Sequence, residues 1–292
     1  MDKEDYIISV IIPHYNSFDC LLKLINTIPE NDKIQVIVVD DNSEYFYPEF
    51  ITRSNVRILY NKSKGAGSAR NTALYKVNSK WVVFADADDY FTPQAFDTLL
   101  NDVNQHAECD VIYYHPSSVN NLTNDQGIRH RYYVRLINNY LTKGDYDSEM
   151  NLRTKFNVPW SKLISRKLID QHNIQFDDVM YSNDVMFSVK TGILSDRIHA
   201  STKSIYTVTE SLDSLTNNRS FESLICRYNV ATRVNEFLIA NNHIKYQMPL
   251  ISFFIKCCRT NILKSPLLLF NILTRNQKVM PNRWLRKLLG GK

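Results

Sequence analysis

The sequence predicts an α/β protein built on a mostly parallel, doubly wound sheet, followed by a helical C-terminal extension. Three observations lead there. Within the first 116 residues, short runs rich in Val, Ile and Tyr alternate with segments of helical periodicity, the pattern of buried parallel strands and their crossover helices. Three of those runs end in clusters of polar residues, as strands do when they point at a ligand. The last 75 or so residues carry long amphipathic patterns without strand alternation.

The predicted strands are 8–13, 34–40, 56–60, 81–85 and 110–114. Between the first two, Leu21, Leu24, Ile25 and Ile28 make one helical stripe within 17–28. Further helices are predicted over 68–77 and 93–103, the second with Thr92 as its cap and Pro93 at its first position. From 117 to 150 the chain is polar and Asn-rich, with a strand-like fragment from Tyr132 to Leu136. Periodicity returns at 160–172 and 183–194, and 221–239 and 244–263 read as longer amphipathic helices. This organisation predicts a catalytic unit over 1–215, with halves meeting near 116, and a basic helical extension over 216–292.

Composition narrows the function classes. With 292 residues, 44% hydrophobic and 22% charged, and only 7 Gly and 9 Pro, the chain is an ordered globular protein rather than a disordered, collagenous or disulfide-built one. Its five cysteines are odd in number and lie in apolar stretches, which predicts reduced thiols in a cytosolic setting. The acidic start and short first apolar run do not read as a signal peptide, and no stretch reaches the length of a spanning helix. The net charge of +5 hides an asymmetry: from His243 onward there are ten Lys/Arg and no Asp or Glu. A polybasic surface implies an anionic partner. Membrane headgroups and nucleic acid both satisfy that requirement.

In an open α/β sheet, ligands sit beyond the carboxyl ends of the strands. Strand one runs into Pro13-His14-Tyr15-Asn16, strand two into Asp40-Asp41-Asn42-Ser43 and strand four into Asp86-Ala87-Asp88-Asp89. Aspartates beside buried strands are costly unless a cation or hydrogen-bond donors meet them. In an extended segment Asp86 and Asp88 project to one side, a pair suited to Mg²⁺ or Mn²⁺, which take carboxylate, phosphate and water oxygens. Between strands three and four, Lys64-Gly65-Ala66-Gly67-Ser68-Ala69-Arg70-Asn71 frees the backbone just before a helix. Such a loop brings N–H groups to an anion, with Lys64 and Arg70 adding charge. It lacks the P-loop spacing.

Taken together and in this order, these four motifs resemble the family 2 glycosyltransferases. The likeness continues through Val158-Pro159-Trp160-Ser161-Lys162-Leu163-Ile164, Phe176-Asp177 and Asn183-Asp184-Val185-Met186-Phe187, about residues 7–195 in all. It implies a GT-A fold, a nucleotide-sugar donor with uridine the favoured base, a divalent cation (Mn²⁺ or Mg²⁺) and inverting transfer. Position by position it implies that Pro13, Tyr15 and Asp41 contact the nucleobase or ribose, and that Asp86 and Asp88 hold the metal, Asp86 also lying near the ribose. Arg70 would partner these aspartates or the donor's phosphates. Asn16, Asp40, Lys64, Gly65 and Asn71 would complete the donor surface. Asp184 matches the catalytic base; the Glu that normally precedes it is Asn183 here. Trp160 is a candidate sugar-stacking platform for the acceptor.

Plainer readings stand beside these: Asp184 as a helix N-cap, Trp160 as core, Arg70 as a structural ion-pair partner, and His14, His115 and His199 as packing or surface residues. The expected partners are a nucleotide-sugar and a glycan or lipid-linked glycan acceptor in surface polysaccharide synthesis of the capsule or O-antigen kind. The basic extension would meet an anionic membrane on its cytoplasmic face, peripherally, with no nucleic acid expected. The competing functions are a sugar nucleotidyltransferase and a non-catalytic adaptor that retains a nucleotide-binding fold.

Overall fold

The computed structural model describes residues 6–211 and 218–261. Strands β1 (Tyr6–His14), β2 (Ile34–Asp40), β3 (Val56–Tyr60) and β4 (Ser79–Phe84) lie parallel in the order β3-β2-β1-β4. All of β2 and the last seven residues of β1 are buried, which is why these runs are apolar throughout rather than alternating. Helix α1 (Phe18–Asn26) buries Leu21, Leu24 and Ile25 as the stripe predicts. Helix α2 (Ala66–Leu74) leads into β4.

Past β4 the sheet changes direction. A two-residue strand, β5 (Tyr90–Phe91), and α3 (Ala95–Gln105) precede β6 (Val111–Asn120), α4 (His130–Lys143) and α5 (Tyr146–Lys155). Strand β7 (Lys162–Ser165) then inserts antiparallel between β4 and β6. After α6 (Arg166–Gln171) and α7 (Val185–Leu194), the long β8 (Ile198–Glu210) pairs parallel with β6 and antiparallel with β5. The order of all eight strands is β3-β2-β1-β4-β7-β6-β8-β5, so the mostly parallel sheet expected from the sequence carries two antiparallel members. Pro116 is accommodated in β6 by register shifts between Tyr114, His115 and Pro116.

Three expectations are corrected. The fragment from Tyr132 to Leu136 lies in α4, because Leu136 and Ile137, flanked by Tyr133 and Tyr140, face the core at helical spacing and Gly144 closes the helix at φ 60. The periodic stretch 160–172 is a strand followed by a short helix, its apolar residues being buried on both sides of β7. Helix α3 starts two residues late: Thr92 is tied to β8 instead, its N–H donating to Ile205 C=O at 3.0 Å and its hydroxyl to Ser204 C=O at 2.7 Å.

Helix α8 (Phe221–Ala240) packs on α7 through Met186, Val189, Val230, Val234 and Leu238. Helix α9 (Ile251–Thr260) packs back on α8 around Leu224, Tyr228, Ala231, Leu250 and Cys257. The helix expected over 244–263 is thus a 3-10 turn (Ile244–Tyr246) and α9, and its last two positions lie outside the described residues. So do seven of the ten cations counted above, together with 284–289, where Trp and Leu flank Arg286 and Lys287. No helix among the described residues is long and apolar enough to cross a membrane, and all five cysteines are free.

Candidate active site

The carboxyl ends of β1, β2 and β4 form one edge, and its geometry is set by buried polar contacts. At the end of β1, His14 is buried, accepts the Ser17 N–H on Nε2 at 3.2 Å and donates from Nδ1 to Asp40 at 3.0 Å. Asp40 also accepts the Ser43 N–H at 3.1 Å. This corrects Asp40 as a donor contact: only 3% exposed, it is committed to shaping the two loops. Pro13 is likewise buried within β1. Tyr15 stands clear, 61% exposed and free to cover a ring. Asn16, at φ 48, ties the two loops together, its N–H reaching Ser43 Oγ and its side-chain oxygen accepting from Glu44 N–H, each at 2.8 Å.

Asp41 organises the glycine loop. It accepts from Asn61 Nδ2 on one oxygen and from the Gly65 N–H on the other, each at 2.7 Å. Gly65 takes φ 101, a left-handed conformation that favours glycine, and this turns the chain into α2 with Lys64 exposed beside it. Two residues on, Gly67 lets α2 touch the 177–183 segment: a β-carbon there would lie 2.4 Å from the Asp177 carbonyl oxygen and 3.0 Å from Asn183. Asn71 accepts the Phe176 N–H at 2.9 Å and donates to its C=O at 3.0 Å, clamping the same segment. It is therefore a positioning residue, a correction to its expected place on the donor surface.

That close approach assembles the centre. Arg70, 5% exposed, donates to Asp86 at 2.5 Å and to the Asn183 side-chain oxygen at 3.0 Å, with its guanidinium 5.3 Å from the Phe176 ring centroid. Its Nε is buried without a partner. Asp184 occupies the N-cap position of α7 but makes no side-chain capping bond, which leaves its carboxylate free for other work. Burial raises its proton affinity, Arg70 opposes that, and Asp86 adds to it.

Asp88 is exposed, yet the surrounding protein and the charge of Asp86 together hold its carboxyl above the ordinary carboxylate range. Asp89 points inward and accepts from Tyr206 Oη at 2.8 Å and Thr209 N–H at 2.7 Å, while the Tyr206 hydroxyl accepts the Asp86 N–H at 2.8 Å. Burial and the neighbouring carboxylates push Asp89 well upward. The Asp86–Asp89 turn is thus pinned from β8 while Asp86 and Asp88 share one electrostatic neighbourhood. An excess of anionic oxygen with one arginine as counter-charge suits a hard divalent cation, so the residues present fit the expected Mn²⁺ or Mg²⁺.

Trp160 is not an acceptor platform. It is 2% exposed, stacked on Tyr206 at 6.0 Å and edge-on to Tyr133 at 4.9 Å. Sequence reasoning missed Tyr206, whose strand carries no polar motif, and gave no role to Lys162. That lysine is fully buried, donates to the Phe156 C=O at 2.6 Å and lies over the rings of Tyr113 and Phe156. Burial lowers its pKa to about 7, against the pull of Asp184.

The sequence model of the family described as "Glycosyl transferase family 2" matches residues 9–172. The chain belongs to that family. This family 2 glycosyltransferase is 26% identical over 210 residues to glycosyltransferase GlyA of Streptococcus pneumoniae serotype 4, covering 68% of this chain and 30% of GlyA. It is 25% identical over 214 residues to the poly(ribitol-phosphate) beta-N-acetylglucosaminyltransferase TarS of Staphylococcus aureus (strain Mu50), covering 69% of this chain and 35% of TarS. The chain thus spans about a third of the length of these two relatives. Solved structures share its fold. TarS 1–349 in complex with UDP-GlcNAc superposes with a TM-score of 0.61 at 21% identity, covering 89% of this chain and 76% of that one. The mannosyltransferase PcManGT of Pyrobaculum calidifontis, in complex with GDP-Man and Mn²⁺, gives 0.55 at 14% identity, covering 99% and 81%. The fold of this family 2 glycosyltransferase is accordingly of the GT-A type.

Proposed function

We propose that this glycosyltransferase moves a sugar, with inversion, from a nucleoside-diphosphate donor to a hydroxyl of a glycan or lipid-linked glycan during cell-surface polysaccharide synthesis. The observation that carries the reading is the Arg70 fork, which ties Asp86 at the end of β4 to Asn183, the neighbour of Asp184, and so joins the metal-suited edge to the candidate base. UDP is the favoured carrier, since TarS has been solved with UDP-GlcNAc. In this reading the catalytic unit spans 1–215, and 216–292 is a basic extension that holds the protein peripherally on the cytoplasmic membrane face.

Tyr15 offers an exposed ring to the base, and the Asp41-held Gly65 turn presents the glycine loop and Lys64 to the donor. Asp86 and Asp88 would hold Mn²⁺ or Mg²⁺, which when bound supplies charge neutralisation for the departing diphosphate. Arg70 keeps Asp86 in place and contributes a fixed cation to the same edge. As the acceptor oxygen bonds to the anomeric carbon and the carbon–phosphate-oxygen bond breaks, the hydroxyl proton passes to the Asp184 carboxylate. One displacement inverts the anomeric centre.

A panel of nucleotide-sugars, read by thermal stabilisation and by metal-dependent release of nucleoside diphosphate, tests this. Stabilisation by one donor with Mn²⁺, and loss of that metal-dependent binding in Asp88→Ala by calorimetry, is the expected result. Release of pyrophosphate from a nucleoside triphosphate would indicate nucleotidyl transfer instead, and binding without any turnover an adaptor.

A further inference from the structure

A second group of ligand-type side chains stands at the opposite end of the sheet from the aspartates. His106 caps the end of α3, and Glu108 and Cys109 lead into β6. One ligand atom from each of the three lies within 4.8 Å of the others. The turn between them is held on every side. The Cys109 N–H donates to the His106 C=O at 3.0 Å, and the His106 N–H to the Asp102 C=O at 2.9 Å. Asp110 accepts from the Asp196 N–H at 2.8 Å and the Arg197 N–H at 3.3 Å, fastening the turn to the start of β8. His199 of β8 lies face to face on His106, with ring centroids 3.8 Å apart and planes 19° from parallel, which restricts rotation of the His106 ring. The Cys109 thiol, 7% exposed, has Glu108 as its polar neighbour, with Sγ 3.8 Å from the carboxylate.

An imidazole, a thiol and a carboxylate form a nitrogen–sulfur–oxygen set. Such a set suits a borderline cation in tetrahedral coordination and disfavours Mg²⁺ or Ca²⁺, whereas the Asp86–Asp88 edge offers oxygen alone. We propose that His106, Glu108 and Cys109 form a Zn²⁺ site whose fourth position faces solvent, clipping the end of α3 to the start of β6 beneath His199. Ligation converts the thiol to a zinc-bound thiolate and releases its proton to water. Because the unfolded chain does not hold these three groups together, bound Zn²⁺ stabilises the native state.

Co²⁺ is the probe. Full-length, chelator-treated protein is titrated with Co²⁺ in excess Mg²⁺, added to compete for the all-oxygen edge. The expected result is a thiolate-to-cobalt charge-transfer band that saturates at one equivalent and is removed by Zn²⁺. The band should be lost in Cys109→Ser, weakened roughly tenfold or more in Co²⁺ affinity in Glu108→Gln and His106→Asn, and retained in Asp88→Ala. Absence of the band from the natural sequence overturns the proposal, as does a band that persists in Cys109→Ser. Unchanged affinity in both Glu108→Gln and His106→Asn also overturns it; Glu108 is exposed, so its variant folds whatever happens at Cys109.

Discussion

Asp184 carries a carboxyl group whose proton affinity is raised by burial, lowered by Arg70 and raised again by Asp86. A carboxylate held in such an environment is a stronger base than a solvated one, which suits proton transfer from an acceptor hydroxyl. We predict that Asp184→Asn retains donor affinity while turnover falls about 10²–10⁴-fold; turnover near that of the natural sequence would reject the role. Linkage adds a second readout. A carboxyl whose folded-state pKa is raised lends most stability below its unfolded value and loses that contribution as pH rises through the folded value. Relative to the natural sequence, the Asn variant should therefore gain in melting temperature as pH rises above the unfolded carboxyl value of about 4. A constant difference over that rise would mean that Asp184 is not held in a proton-favouring environment. Tyr206 is the other decisive single residue, since its hydroxyl serves both the Asp86 N–H and the buried Asp89. Tyr206→Phe leaves both short of a partner and should cost about 1–3 kcal/mol in urea unfolding; a midpoint unchanged from that of the natural sequence would show that the turn is held by other contacts.

At the scale of elements, the site depends on how closely α2 approaches the segment before α7. Gly67→Ala places a methyl group 2.4 Å from a backbone oxygen, and backbone cannot yield as a flexible side chain does. The helix must move away, carrying Arg70 from Asp86 and Asn183. We predict a loss of about 1–3 kcal/mol of stability, together with a fall in kcat larger than the change in donor affinity. A variant that is destabilised but fully active would show that the Arg70 fork is dispensable. The same contact marks the boundary of what the sequence discloses. The strand over 34–40 and the stripe of α1 are legible because burial on both faces, or on one helical face, leaves a local pattern. Asp86, Asp88, Arg70 and Asp184 are legible as motif positions. Tyr206 meets Asp86 from 120 residues away along the chain, and Asn71 meets Phe176 from 105, so no window of sequence shows either pairing. Asp40 is expected at the ligand surface because polarity at a strand end looks alike whether the side chain turns outward or, as here, inward, and Trp160 because an aromatic ring serves a sugar platform and a core equally well.

At the scale of the whole molecule, charge is separated along the chain: the aspartate edge lies in the first part, and ten cations without an acid follow His243. Helix α8 is part of the folded body through its contacts with α7, and α9 covers α8 in turn. A cut near Asn242 would strip α9 from Leu224, Tyr228 and Ala231 and confound loss of membrane binding with loss of packing. Removing 262–292 instead leaves both helices intact and deletes seven of the ten cations. Each Lys or Arg near an anionic surface contributes roughly 1 kcal/mol, screened by salt over about 8–10 Å. We therefore predict that the full chain floats with anionic vesicles at low salt and not with neutral ones. High salt should release it, and the shortened chain, checked for folding by a melting scan, should stay in the soluble fraction. Equal flotation of the two chains would move the contact to the exposed surface of α8 and α9. Equal flotation with neutral and anionic vesicles would make it apolar rather than electrostatic, and no flotation at all would leave the basic extension without a membrane role.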